Sequence, residues 1–331
     1  MRATGIGSLP GTDFRGAVAA MAECFPESVP LPELPDRGLP AGILGRATAL
    51  LDELPVDLGP GGWRLADGDD AAARAARSWW RRDLDDLEET LAGEAATVKV
   101  AVCGPLTLAA GLHLRHGEVL LGDPGALRDA GQSLAAGIGA LQVELGRRMP
   151  RVRWLWQLDE PAAPAVLAGR IPTQSGLHRH RPMDLQIAVG LCREVVAAVR
   201  TAGAEETGWH CCAGEVPWDL LDRIDVDDVL VDLSLLDTAG IGHCAQGLES
   251  GRRGGLGVGP TAVPDRVADA ARIIGGLKEF THKVGVGPDL VRTDGLLTPA
   301  CGLAGWSQPA AWRQCRELSR AAGLAEEALQ D

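Results

Sequence analysis

The sequence contains no tyrosine. Beside abundant alanine, glycine and arginine, that absence is a bias of composition rather than a functional mark. Basic residues are also in deficit: 32 Lys and Arg stand against 45 Asp and Glu, for a formal net charge of −13. Such a balance argues against non-specific binding to nucleic acid or to anionic membranes. No apolar run is long enough to span a bilayer. The longest uncharged one, near Val100 to Leu112, falls short of the roughly 18 residues a span requires. The opening MRATGIGSLPG lacks an apolar signal core. These absences imply a cytoplasmic protein, where thiols stay reduced. The cysteines, at 24, 103, 192, 211, 212, 244, 301 and 315, show no disulfide-scaffold spacing. Most read as small buried hydrophobes. Internal repeats, a heptad seam and long low-complexity linkers are missing as well.

What is present is a large apolar fraction, 46% of 331 residues, enough for a sizeable core. That length fits about two domains or one (β/α)₈ barrel of roughly 250 residues or more. Short β-like runs alternate with longer helical ones. The runs are 3–9, 28–34, 98–104, 152–159, 207–212, 228–234, 254–260 and 295–303. Helical patterns lie between them, among them DAAARAARSWWRRDLDDLEETLA, PGALRDAGQSLAAGIGALQVELGRRM and PMDLQIAVGLCREVVAAVRTAG. Strands alternating with helices predict a parallel α/β TIM barrel spanning residues 1–331 as one domain, with a doubly wound open sheet as the alternative. The loop 160–184 follows the fourth strand and carries a basic HRHR. It reads as a lid or docking surface, or as a solvated connection.

One stretch, GWHCCAGEVPW, sets a histidine beside two cysteines in a chain with only 7 histidines. On a strand, residues two apart share a face, so His210 and Cys212 point one way and Cys211 the other. Both are good zinc ligands, although a core histidine beside buried thiols would read the same. Asp232 interrupts the apolar run VLVDLS, and a carboxylate there needs a partner or a metal. Cys301 closes the eighth strand in LLTPACGL. A barrel gathers the C-terminal ends of strands 5, 6 and 8 on its catalytic face. Two thiolates and a carboxylate leave zinc electron-rich, a state that suits holding a substrate thiol as thiolate rather than activating water. A free thiol with pKa ~8.5 is only a few per cent ionised at neutral pH, so full ionisation is worth about thirtyfold, or roughly 2 kcal/mol of barrier. The lower basicity of the bound thiolate takes part of that back.

The motifs WHCC, LTPACGL, GIGSLP and WQLDEP resemble the zinc-bearing catalytic barrel of the cobalamin-independent methionine synthase family, within the uroporphyrinogen-decarboxylase-like superfamily. The resemblance is patchy but spans nearly the whole chain. It implies zinc ligands His210, Cys212, Asp232 and Cys301, with Asp232 replacing the family's usual glutamate. It implies that Ile6, Gly7 and Ser8 grip the amino-acid end of homocysteine, and that Asp159 and Glu33 bind its ammonium. The implied activity is zinc-dependent S-methylation of a thiol, homocysteine, to methionine. A related thiol alkyltransferase and a non-catalytic zinc- or ligand-binding barrel are the alternatives. Two departures stand out. The extra N-terminal barrel of the long enzymes is missing. So is their acid histidine after the seventh strand, where Pro260 and Thr261 stand instead. The expected donor is therefore a corrinoid or corrinoid protein met by residues 160–184, rather than a folate bound as in the long enzymes.

Overall fold

The computed structural model describes residues 1–91, 97–257 and 263–329. Its main sheet is formed by β1 (Arg2–Ala3), β2 (Val29–Pro30), β3 (Thr97–Cys103), β4 (Arg153–Asp159), β5 (Glu206–Cys211), β6 (Asp228–Asp232), β7 (Arg253–Gly257) and β8 (Gly295–Thr298). All neighbours pair in parallel, in the order β1-β8-β7-β6-β5-β4-β3-β2. The two edges meet just beyond β1 and β2. Ser8 and Glu33 form a parallel bridge there, Glu33 N donating to Gly7 O at 3.0 Å and Leu9 N to Glu33 O at 2.9 Å. The fold is an α/β TIM barrel, as the alternation of runs predicts. Each predicted strand is present, and most are shorter than their apolar runs. β1 and β2 have two residues each, because the turns that follow them leave the ladder early to build the barrel mouth.

Alternation within the strands separates two environments. In β3, Val98, Val100 and Val102 face outward, while Lys99, Ala101 and Cys103 are in register with the inward Leu155, Gln157 and Asp159 of β4. Trp154, Trp156 and Trp209 fill the outer layer, and Trp156 Nε1 donates to Gln142 Oε1 at 2.6 Å across it. The apolar core thus lies between strands and helices, and the barrel interior carries polar groups. The outer helices include α1 (Phe14–Cys24), α2 (Ala71–Thr90), α3 (Pro124–Arg148), α4 (Leu185–Thr201), α5 (Thr238–Glu249), α6 (Ala270–Val284) and α7 (Gln308–Ala328). Asp13, Asp70, Asp123, Asp184, Asp237 and Asp269 cap the first six through side-chain bonds to backbone N–H groups. Such caps stabilise a helix by ~1 kcal/mol each and use part of the acidic surplus.

A hairpin, Val56–Gly59 with Gly62–Leu65, precedes α2 and falls outside the strand pattern of the sequence. Its GPGG turn joins runs of only four residues, too short for alternation to show. Among the described residues no helix is long and apolar enough to cross a membrane.

Candidate active site

The catalytic face of the barrel is built from strand ends. Asp159 and His210 are register partners at the ends of β4 and β5 and face the same way. Their side chains bond, His210 Nδ1 to Asp159 Oδ1, at 2.7 Å. A carboxylate accepts only, so Nδ1 carries the proton of this bond and Nε2 is left to face the site. His210 Nε2 is buried without a hydrogen-bond partner among the described residues. A buried imidazole nitrogen left in that state is costly unless something binds it.

Cys212 and Cys301 lie just past the ends of β5 and β8, and Cys212 Sγ donates to Cys301 Sγ at 2.9 Å. That bond lowers the Cys301 thiol to about 6, against burial and with help from the nearby His210. The same bond, with burial, raises Cys212. Cys211 is fully buried on the opposite face, in the outer core. As they stand, no group of three or more His, Cys, Asp or Glu side chains among the described residues is arranged to enclose a metal. The donor set nevertheless fits zinc: an imidazole with a free buried nitrogen, and two adjoining thiols. Asp232 ends β6 and accepts from Ser234 N at 2.9 Å and Ser234 Oγ at 2.6 Å. The carboxylate that the apolar run left unexplained is thus partnered locally, as the cap of a short 3₁₀ turn.

The turn after β1 packs against the turn that carries Cys301. Leu303 N donates to Ser8 O at 2.8 Å. A Cβ on Gly302 would fall 1.8 Å from Ser8 Oγ, so a larger residue after Cys301 would force the Ser8 hydroxyl to turn away. Gly7 has φ +152°, and a Cβ there would meet Ala101 Cβ at 3.1 Å and Glu33 Oε2 at 3.8 Å. Ile6 contributes its carbonyl, which accepts from Lys99 Nζ at 2.8 Å and Gln157 Nε2 at 3.1 Å. Gln157 Nε2 also donates to Asp159 Oδ1 at 2.7 Å, and its Oε1 accepts from Lys99 at 2.5 Å. One amide therefore ties the first turn to Asp159, and through it to His210. Burial brings Lys99 down to about 8, against the pull of Asp159, Glu33 and Asp228. Glu33 is held by Arg46 Nε at 3.2 Å, and burial pushes it up to about 7.

Lys99, Gln157 and Arg46 are site residues that the motifs of the sequence do not reveal. Lys99 carries a signal of the same kind as Asp232, a charge inside the apolar run VKVAVC. Glu160, beside Asp159, also has a definite task. It accepts from Leu106 N at 2.9 Å, Thr107 N at 2.7 Å and Thr107 Oγ1 at 2.7 Å, and so locks the GPLT segment to the DEP segment. The loop 160–184 is pinned rather than free. Glu118 accepts from His180 Nε2 at 2.9 Å and from Gln174 N at 3.1 Å. Beside it lies a cavity of about 550 Å³ lined by Gly62, Arg64, His113, Glu118, Pro172 and Gln174. Pro260 and Thr261 lie outside the described residues.

The fold and site together are a parallel barrel with an imidazole and paired thiols at its C-terminal face. The chain belongs to the cobalamin-independent synthase catalytic-domain family, whose sequence profile matches residues 71–324. A B12-independent methionine synthase from Shewanella sp. W3-18-1, solved in complex with selenomethionine, is similar at TM-score 0.51 and 15% identity, over 75% of this chain and 67% of that one. That likeness concerns the fold alone. A Bacteroidetes-affiliated GH5 cellulase aligns over 98% of this chain and 91% of its own at 12% identity, with a TM-score of 0.45 that carries no argument. A search of the curated proteins finds no match.

Proposed function

We propose that the protein is an S-methyltransferase that methylates the thiol of homocysteine, within one catalytic unit covering residues 1–331. The observation that carries this reading is the free, buried Nε2 of His210, aligned by Asp159 and neighboured by two thiols on the catalytic face. His210, Cys212 and Cys301 would hold zinc, with Asp232 as the fourth candidate, released from Ser234 to reach it. Zinc, when bound, supplies the charge that keeps a substrate thiol deprotonated at neutral pH.

The remaining work falls to the chain itself. Backbone N–H groups of the Gly7 turn and the Ser8 hydroxyl offer donors to the substrate carboxylate. Asp159 spends Oδ1 on His210 and Gln157, which leaves Oδ2 for the substrate ammonium. Glu33 spends Oε1 on Arg46, which leaves Oε2, the oxygen nearest Gly7, for the same ammonium. Two carboxylates facing one ammonium favour an amino-acid thiol over a simple alkyl thiol, the basis of the alternative alkyltransferase reading. The sulfur then attacks the methyl carbon in line as the bond to the donor's leaving group breaks, and alignment supplies much of the rate.

For the donor, we infer a corrinoid or corrinoid protein met at the loop 160–184. Cobalt is a leaving group that needs no proton, unlike a folate amine. The test is product analysis with homocysteine against methylcobalamin, a methylated corrinoid protein and polyglutamylated methyltetrahydrofolate. Methionine from the corrinoid donors, with zinc-edge absorption gaining one sulfur on homocysteine addition, is the expected outcome. Turnover with the folate alone would overturn the donor assignment. An unchanged sulfur count would overturn direct thiol binding at the metal.

A further inference from the structure

Glu33 stands at the end of a buried row of charges that reaches from the barrel mouth to α2. Arg46 comes from the short helix Ile43–Thr48 and is only 3% exposed. Its Nε donates to Glu33 Oε1 and its Nη1 to Asp83 Oδ2, both at 3.2 Å. Its guanidinium lies over the Trp80 ring, 3.8 Å from the centroid, and Trp80 Nε1 donates back to Arg46 O at 3.0 Å. Asp83, one turn along α2 from Trp80, takes a two-pronged grip from Arg37 at 2.7 and 2.8 Å. Arg37 in turn lies over Trp79 at 4.4 Å. The four charges alternate in sign: Glu33, Arg46, Asp83, Arg37. The row is neutral only while Glu33 is ionised, and an unbalanced buried charge is costly.

We propose that Arg46 is a positioning residue for the substrate site: it fixes the aim of the Glu33 carboxylate and favours its charged form. By taking Oε1 it turns Oε2 to the Gly7 turn, where the amino-acid end of the substrate is placed. The other groups acting on Glu33 cannot replace it. Asp159 repels the charge. Lys99 attracts it, but its ammonium is committed to Ile6 O and Gln157 Oε1. Cys103, the remaining ionisable neighbour, is a deeply buried thiol held neutral. The stack on Trp80 and the two-directional fork explain why arginine stands here rather than lysine.

The part played for substrate rests on the homocysteine reading above; the control of Glu33 does not, and the two separate in one set of measurements. In ¹³C-glutamate-labelled protein the Glu33 carboxyl signal is identified by its loss in Glu33→Gln and titrated by NMR. Arg46→Met keeps an apolar stem over Trp80 and leaves the Asp83–Arg37 pair intact. It should raise the Glu33 midpoint by about one pH unit or more, and Arg46→Lys by less. At neutral pH homocysteine KM should rise about tenfold in Arg46→Met while kcat changes little, as for lost uniform binding. The double variant Glu33→Gln/Arg46→Met should bind no worse than Glu33→Gln alone, because Arg46 acts through Glu33. An unmoved midpoint in both Arg46 variants, or fully additive losses, would overturn the proposal. If the midpoint moves but the unaltered protein does not bind homocysteine, control of Glu33 stands and the homocysteine reading fails.

Discussion

The two sides of the barrel mouth are finished to different degrees. On the β1–β2 side every charge has a protein partner: Glu33 meets Arg46, Arg46 meets Asp83, and Lys99 is shared between a carbonyl and an amide. On the β5–β8 side His210 Nε2 is buried with none among the described residues, and Cys212 Sγ donates to Cys301 Sγ. The first side is a cradle of paired charges, suited to an amino acid's fixed charges, with Arg46 Nη2 as a buried donor without a partner among the described residues. The second is a set of soft donors whose best partner is not another protein group. The difference teaches where selectivity and chemistry divide. Under the proposed function, recognition falls to the first side and reactivity to the imidazole and thiols of the second.

The largest effect that would break this contrast comes from the unfinished side. His210→Ala or Cys301→Ser should lose most bound zinc and cut turnover by several kcal/mol of barrier, on the order of 10³-fold, while the fold stays intact. The large apolar layer between strands and helices does not depend on these side chains. Metal analysis beside circular dichroism checks both halves. Full zinc occupancy in Cys301→Ser would show that the thiol pair is ordinary packing.

Much of this is legible in the amino-acid sequence itself. Alternating runs indicate the barrel, and the period of two puts His210 and Cys212 on one face with Cys211 on the other. What escapes the sequence are residues whose meaning depends on the neighbouring strand. Gln157 is an unremarkable amide until register sets it between Ile6 and Asp159. Arg46 sits in a six-residue helix with no pattern of its own, and only the fold brings it to Glu33. Asp232 shows the converse limit: an acid in an apolar run does demand a partner, but a local cap meets the demand as readily as a metal would.

The same contrast exists within one dipeptide. Asp159 turns into the site, and Glu160 turns away to hold the Pro105–Gly111 helix. Glu160→Gln must present an NH₂ to a wall of donors, so it should cost ~1–3 kcal/mol of stability at neutral pH. It should also change the pH dependence. Burial pushes Glu160 up from 4.5 to about 7 in the folded state. Between those values the folded chain holds the proton more tightly than the unfolded one, so this group's contribution falls as pH rises through the window. Denaturant titrations across that window should show a shallower decline in Glu160→Gln. An identical decline would mean that the three donors already keep Glu160 ionised.

The smallest expected effect sharpens the comparison most, because it separates neighbours with the same side chain. Cys211 and Cys212 are adjacent, yet Cys211 is fully buried among the outer-layer residues while Cys212 opens to the mouth. Burial raises the Cys211 thiol to about 11, so it stays protonated and inert at neutral pH. Cys211→Ser puts a hydroxyl where a weakly polar sulfur packed. It should cost about 1 kcal/mol of stability, through desolvation of the new group. Zinc content and turnover should remain those of the unaltered protein. Cys212→Ser should do the reverse, leaving stability nearly unchanged and removing metal. If Cys211→Ser loses metal, the strand is turned over at its end and the opposite face of β5 carries the site. A one-residue slip exchanges every inward and outward side chain. His210 would then lose its register with Asp159, so the metal content of this quiet variant also tests the Asp159–His210 pairing.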